Sequence, residues 1–371
     1  MSKEAKLSAV EEMKKSSEYL RGEIPEELVD DNAFFGKSSI QLLKHHGSYQ
    51  QDNRDERAAA RADGRGKAYS MMVRTRIPGG KFTSQQMLAE LDLCDEFGDL
   101  TLRITTRQAL QLHGIVKENL KRTIQRINEV QSSTLGACGD VNRNVMCCPA
   151  PHRNDPVHDQ LQEMADGLAD YFAPRTKAYH QIWLADTESG QSQLVGGSAE
   201  GSRNSGTEGD VVEPLYGKSY LPRKFKMGIA LPNDNCADIY SQDLGLLAIC
   251  DGSEIVGYNL LVGGGFGVTP SAKKTFPAVA KRMAFVGPEQ LIAVAEAIVK
   301  VQRDFGNRSD RKVARLKYLV ADWGVDRFRA KVEQYYGQSL ADPHEDDVCG
   351  FDDHIGWHPQ GDGNWYYGLN V

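Results

Sequence analysis

The chain has no uninterrupted apolar run long enough to span a bilayer. Its first residues, Met-Ser-Lys-Glu-Ala-Lys, lack the apolar stretch of an export signal. Both absences make the cytoplasm the default location and argue against a membrane partner. There is no Cys-x-x-Cys pair. The seven cysteines, at 94, 138, 147, 148, 236, 250 and 349, are scattered and odd in number, which argues against a disulfide framework. Cys147 and Cys148 are adjacent, so their side chains tend to diverge, and no zinc or iron–sulfur site built wholly from the seven is expected. A net basic charge is also missing. The formal charge of −7 argues against a general nucleic-acid binder, so local basic clusters are more informative than the total.

What is present fits a globular protein. With 371 residues, 40% of them hydrophobic and 26% charged, the chain can build two or three domains. Residues 1–66 read as an extension. They hold a short helix over Ser8–Leu20, ended by Gly22–Pro25, and a polar run from Leu43 to Asp55 that reads as an arm over another part of the protein. Within residues 67–150 the pattern tightens. A strand over Ala68–Arg76 meets a Pro78-Gly79-Gly80 turn. Thr83 and Gln86 form a capping box, and Met87, Leu88, Leu91, Cys94 and Phe97 keep helical spacing to a stop at Gly98. A strand follows from Leu100, continued or bent by Gln111–Gly114, then a helix marked by Leu120, Ile124, Ile127 and Val130. Leu135–Pro151 is a loop. Over 151–345 the spacing predicts a helix through Leu161, Met164, Leu168 and Phe172 and a short strand at Gln181–Ala185. Next come a flexible excursion over Thr187–Gly209, strands at Tyr220–Leu231, Leu246–Cys250 and Ile255–Val262, and helices from Leu291 to Arg303 and near Leu316–Val320. Residues 346–371 begin with a polar connector, Val348–Pro359, and end in a strand from Trp365. That last strand echoes Tyr69–Arg74, which suggests the opening of a second copy of the 67–150 unit.

The chemistry gathers in basic clusters. In Leu100–Thr105 apolar and polar residues alternate, which is the period of a half-buried strand and puts Arg103, Thr105 and Arg107 on one side. Guanidiniums displayed together repel unless an anion joins them. Arg74 and Arg76 are two apart, Lys224 and Lys226 are two apart, and Arg143 sits in the tight Asp-Val-Asn-Arg-Asn loop. These segments are expected to converge on one polyanionic cofactor and one small oxyanion. Gly263–Gly267 does not match Gly-x-Gly-x-x-Gly, so close backbone approach to a large ligand is preferred over a dinucleotide loop. His354 and His358 flank a Gly-Trp turn and are not read as a metal site.

Several stretches resemble the sulfite and nitrite reductase family. They are His46–Asp55, Met72–Gly80, Leu102–Gln108, Gly139–Val145, Tyr220–Lys226 and Gly306–Lys312, in the family's order. The run Glu213–Lys226 is most similar to ferredoxin-dependent assimilatory sulfite reductases. The resemblance implies an α+β fold: a ferredoxin-like half-domain, then a mixed α/β sirohaem-reductase domain and the start of a second pseudo-repeat. It implies sirohaem coupled to a [4Fe–4S] cluster, six-electron reduction of sulfite to hydrogen sulfide, and ferredoxin as donor, with a flavoprotein reductase subunit as the alternative. On this likeness Arg74, Arg143, Lys224 and Lys226 bind the anion on the distal face of the haem, and Arg103 and Arg107 pair with sirohaem carboxylates. Thr105, Gln111, His113, Asn142, Gly264, Gly265, Arg308 and Arg311 line the cofactor cavity.

One departure stands out. The family binds its cluster through Cys-x5-Cys and Cys-x3-Cys pairs, and neither spacing occurs here. The cluster ligands are therefore expected outside this sequence, which reads as the N-terminal portion of a longer enzyme, inactive alone. The alternatives are a nitrite reductase of the same family or a non-catalytic tetrapyrrole- or anion-binding module.

Overall fold

Two four-stranded sheets, each backed by helices, carry the segments whose periodicity is visible in the sequence. The computed structural model of the chain describes residues 6–53, 55, 57–64, 66–185 and 213–370. The excursion expected at 187–209 lies outside the described residues.

The extension is an arm with structure of its own: helices α1 (Ala9–Lys15), α2 (Ile24–Leu28) and α3 (Lys37–Leu43). The helix expected to reach Leu20 ends at Lys15, because Glu18, Tyr19 and Leu20 all take positive φ. Pro25 does not break a helix but lies in the first turn of α2, where its missing N–H costs nothing. α1 is pinned to distant chain by Lys14, whose buried Nζ donates to the Leu221 carbonyl at 2.6 Å and contacts Asp140 at 3.2 Å. The polar run ends in a strand, β1 (Ser48–Asp52). Its register against the next strand, Ser48↔Val73 to Asp52↔Tyr69, makes it a sheet edge, which explains a polarity unsuited to a core strand.

After α4 (Arg57–Ala62) come β2 (Tyr69–Arg74), α5 (Ser84–Phe97), β3 (Leu102–Thr105), β4 (Ala109–Ile115) and α6 (Lys117–Glu129). The sheet order is β1-β2-β4-β3, with every neighbouring pair antiparallel. β4 therefore lies between β2 and β3, which α5 connects, as in a ferredoxin-like half. The capping box forms: Gln86 N–H donates to Thr83 Oγ1 at 3.2 Å, and Thr83 N–H donates to Gln86 Oε1 at 2.8 Å. The apolar stripe of α5 is rotated from the expected one. Ala89, Leu93 and Cys94 face inward, while Leu88 and Leu91 are 60% and 40% exposed. The inward side chains are mostly small, so the helix lies close on β4. At the sheet edge Ile104 is 57% exposed, so β3 is less buried than its alternation predicts.

α7 (Pro156–Tyr171) is capped by Asp155, which accepts from the Val157 and His158 N–H groups. The strand expected at Gln181–Ala185 is not one. A helical turn, α8 (Lys177–Tyr179), runs into a π-helix at His180–Leu184. Its apolar composition serves burial instead, and Trp183 Nε1 donates to His46 Nδ1 at 2.9 Å. The second sheet comprises β5 (Met227–Ala230), β6 (Leu244–Asp251), β7 (Glu254–Val262) and β8 (Lys281–Val286), in that order, with only β5–β6 parallel. β6 and β7 read as continuous apolar runs because both faces are covered. Leu246 and Leu260 join the main core, while Leu247 and Leu261 join a smaller cluster with Ile239. Helices α9 (Pro288–Phe305), α10 (Leu316–Trp323) and α11 (Val325–Tyr336) follow. The stretch read as a polar connector contains β9 (Gly356–Pro359), which pairs antiparallel with β10 (Trp365–Gly368). One core spans both sheets, from Leu112 through Val141, Trp183 and Phe225 to Ile298.

Candidate functional site

The loop Gly139–Cys147 runs beside the basic strand as an irregular extra strand. Arg143 N–H donates to Phe225 O at 2.9 Å, Phe225 N–H to Val141 O at 3.1 Å, and Ile229 N–H to Met146 O at 2.7 Å. This pairing brings Arg143 next to Lys224 and Lys226. Phe225, Met227 and Ile229 are buried, and the lysines alternate with them on the other face. Gly139 permits the turn. It has φ +90°, and a Cβ there would come within 2.6 Å of the His45 ring.

Positive charge dominates this face. Burial, with the charges of Arg143, Arg223 and Arg315, lowers Lys224 to about 8. Burial, with Arg107, Lys224 and Arg315, lowers Lys226 to about 7. Neither lysine has an ion pair or hydrogen bond from its ammonium to a described residue. Arg107 reaches in from the β3–β4 hairpin. Its Nη1 donates to the carbonyls of Asn144 at 2.9 Å and Met227 at 3.1 Å, and its Nη2 to Gln242 Oε1. Its Nε is buried without a partner, and burial lowers the group to about 9. Asn144 fixes the hairpin through one amide nitrogen that donates to Ile77 O at 2.6 Å, Arg107 O at 3.0 Å and Gln108 O at 3.1 Å. The carboxylate facing these cations is fully buried Asp243, and Arg315 already holds it at 2.7 Å.

A second row crosses the first sheet. The registers Arg74↔Gln111 and Arg103↔Gln111 place those three residues side by side. Arg74 can only donate, so the Gln111 amide oxygen faces it. Arg74 Nε then donates at 3.0 Å, and the Gln111 nitrogen donates to His113 Nε2 at 3.0 Å. That leaves the proton of neutral His113 on Nδ1, in keeping with the burial that lowers its pKa. Arg74 Nη1 also lies 3.1 Å from Cys138 Sγ. Tyr49, on β1, lies beside Arg143 and Arg74. Burial and Cys138 raise its phenol, and Arg143 and Arg74 pull the other way. Arg74, Arg143, Lys224 and Lys226 thus fall in one neighbourhood, bridged by Tyr49 and Cys138.

Other candidates lie elsewhere or do other work. Arg103 is exposed on the edge strand beside Gln111, and Thr105 Oγ1 accepts the Arg107 N–H at 3.3 Å in the hairpin turn. Arg76 turns away from Arg74, toward Asp170 at 3.8 Å. Arg308 binds Glu11 and the carbonyls of Tyr220 and Arg303, and Arg311 binds Asp140 at 2.6 and 2.9 Å. Together they clamp the arm. A Cβ at Gly264 would meet Tyr240 O at 2.3 Å, and one at Gly265 the Arg315 guanidinium at 2.5 Å, so both glycines admit protein neighbours. Asn142 is buried with its Oδ1 unpartnered. Sequence reasoning missed Asp243, Gln242 and Tyr49 as parts of this face. Only Tyr49, an aromatic in an otherwise polar arm, carried any signal.

Two sheet-and-helix layers present a cationic face on which the described carboxylate is Asp243, the arrangement of an α+β protein with a concentrated positive site. The chain belongs to the nitrite and sulphite reductase family. It matches that family's 4Fe-4S domain over residues 138–340 and its ferredoxin-like half domain over residues 63–130. It is 44% identical over 368 residues to the ferredoxin sulfite reductase of Synechococcus elongatus, covering 99% of this chain and 58% of that protein. It is 42% identical to the NADPH sulfite reductase hemoprotein beta-component of Staphylococcus saprophyticus, covering 99% of this chain and 62% of the relative. The chain therefore spans about 60% of the length of these relatives. In fold it is similar to Mycobacterium tuberculosis NirA protein, with a TM-score of 0.71 at 24% identity over 97% of this chain and 59% of that one. No helix among the described residues is long and apolar enough to cross a membrane.

Sirohaem coupled to a [4Fe–4S] cluster is the family's prosthetic centre. A polycarboxylate fits the face described here, where four cations surround one spoken-for carboxylate and Arg107 Nε has no partner. A four-thiolate cluster does not fit. All seven cysteines are free thiols, and among the described residues no three sulfurs come within 4.8 Å of one another.

Proposed function

We propose that this chain forms the anion-binding face of a sulfite reductase that reduces sulfite to hydrogen sulfide over sirohaem. The observation that carries the proposal is the convergence of Arg143, Lys224 and Lys226 with no counter-anion beyond Asp243. When bound, the haem would pass on electrons from the donor and supply the metal that accepts the substrate. The protein's own residues bind, orient and protonate. The guanidinium forks of Arg143 and Arg74 would hold anionic oxygens. Lys226 near 7 and Lys224 near 8 can each give up a proton close to neutrality, as oxygen lost as water requires. On this reading Arg107 and, from the sheet edge, Arg103 would pair with haem carboxylates. Ferredoxin is the proposed donor, because the Synechococcus relative is a ferredoxin enzyme. A reducing cytoplasm suits seven free thiols.

The test is the holoenzyme containing this chain, purified with sirohaem and assayed with reduced ferredoxin. Lys224→Ala and Lys226→Ala are each expected to lower kcat/KM for sulfite roughly tenfold to a hundredfold, from the ~1.5–3 kcal/mol of a charged hydrogen bond. Haem absorbance should be retained. Unchanged sulfite kinetics in both variants, or a protein with no haem bands, refutes the reading. Turnover with an NADPH flavoprotein but none with ferredoxin refutes the donor alone.

A further inference from the structure

A second cluster of side chains lies apart from the cationic face, where three distant segments meet. They are the chain after Cys147, the turn at 234–238 and the segment leading into β9. Cys147 and Cys148 do diverge: Cys147 Sγ faces Gln162, whereas Cys148 Sγ lies 3.2 Å from His354 Nε2. That nitrogen is 3.0 Å from Asp234 Oδ2. Cys236 completes a set of four whose ligand atoms all lie within 4.8 Å of one another. A tetrahedral ion with bonds of about 2.0–2.3 Å separates its donors by roughly 3–4 Å, so small side-chain rotations would close the set around one ion.

The surroundings point the same way. His158 Nδ1 is held by Asp155 Oδ2 at 2.8 Å, and its Nε2 is buried without a hydrogen-bond partner among the described residues. His152 Nε2 is buried and unpartnered too, and both histidines offer a nitrogen within 4.8 Å of Cys148 Sγ. Asp234 is itself positioned, accepting the Cys236 N–H at 3.2 Å on its other oxygen.

We propose that Cys148, Cys236, His354 and Asp234 bind one divalent ion of the zinc type, with His158 beside the Cys148 sulfur just outside the ligand shell. Two thiolates, an imidazole and a carboxylate suit a borderline-soft ion of tetrahedral preference. Binding releases two protons to solvent, one from Cys236 and one from the Cys148–His354 pair, and changes no oxidation state. With four protein ligands no position is left for substrate, so the ion is structural. It ties the β9–β10 hairpin to the loop that carries Arg143.

The experiment is metal analysis of the full chain purified in the presence of zinc and then dialysed. About one zinc per chain is expected, retained in Cys250→Ser and lost in the Cys148→Ser/Cys236→Ser double variant. Replacement by cobalt should give tetrahedral ligand-field bands and a thiolate charge-transfer absorption that weakens with each cysteine removed. A folded wild-type chain that takes up neither metal overturns the proposal. So does zinc retained by the double variant, or acid-labile sulfide with iron at these cysteines. If the double variant does not fold, His354→Gln decides. An unchanged cobalt spectrum overturns the site, and a shifted one supports it. None of these readouts depends on sulfite or haem, so the result stands apart from the proposed activity.

Discussion

Lys226→Met should make the ligand-free chain more stable near neutral pH. The ammonium is mostly buried among Arg107, Lys224 and Arg315, and its pKa falls from 10.5 to about 7. A base whose folded pKa is lowered binds its proton less tightly in the folded state. Between about 7 and 10.5 the unfolded chain therefore carries the extra proton, and stability rises with pH across that window. Below it the penalty is constant and largest. At ~1.4 kcal/mol per pKa unit the full shift corresponds to ~5 kcal/mol, which partial solvent screening reduces to roughly 2–3 kcal/mol. Methionine keeps the stem and carries no charge. The variant should therefore exceed the parent by that amount at about pH 6.5, the gap should shrink at about pH 9, and it should close near pH 10.5. Other groups titrate as well, including His45 at about 3 and His46 at about 4, but they are common to both proteins and cancel in the difference. The assay is urea unfolding followed by tryptophan fluorescence, repeated with sulfate as a probe anion. A bound anion favours the folded state by about 2.7 kcal/mol at a hundredfold excess over Kd, and the variant should lose most of that gain. A variant less stable than the parent at neutral pH, or a difference flat with pH, would refute the assignment of Lys226 as a charge kept for a ligand.

Two further predictions concern buried acids. Asp243→Asn leaves Arg315 and its neighbours without their carboxylate and should destabilise the chain by about 3–5 kcal/mol in denaturant melts; a change under ~1 kcal/mol would show that solvent already screens the cluster. Glu90, in the sheet-facing side of α5, has its pKa raised to about 7 by burial, and its Oε2 has no partner. The folded state holds its proton between 4.5 and about 7, so stability falls as pH rises through that range. Glu90→Gln should gain about 2–3 kcal/mol at about pH 8.5 and almost nothing at about pH 4, as thermal melts at both values would check.

Elements with strong local signals were readable from the sequence. The Thr83–Gln86 box, the period-two alternation around Phe225 and the stripe through Leu120, Ile124 and Ile127 all formed as written. Misreadings arose where tertiary packing set the outcome. Trp183 and Ile182 look strand-like, but the His46 ring draws Trp183 into a π-turn. The α5 stripe is chosen by what lies beneath it, so small Ala89 and Cys94 go inward and Leu88 stays out. β8 and α11, with weaker periodicity, escaped notice. The Cys148, Asp234, Cys236 and His354 grouping joins residues some two hundred positions apart, and spacing rules see only neighbours.

The arginines also separate by what holds them, which residue type alone does not reveal. Arg311 and Arg308 each meet a carboxylate, Asp140 or Glu11, so their charge is neutralised within the fold, and they fasten the arm. Arg143 donates to the Gly139 carbonyl at 2.9 Å and the Ala137 carbonyl at 3.2 Å, and Arg107 is likewise held by the carbonyls of Asn144 and Met227. A carbonyl dipole orients a guanidinium and solvates it but does not cancel its charge. Both side chains are therefore rigid and still net positive, as a group must be if it is to meet an anion without rearranging. Lys224 and Lys226 sit at the end of the same logic, with no acceptor for their ammonium groups among the described residues and depressed pKa values as the cost. The partner that would relieve that cost is one the described residues do not supply.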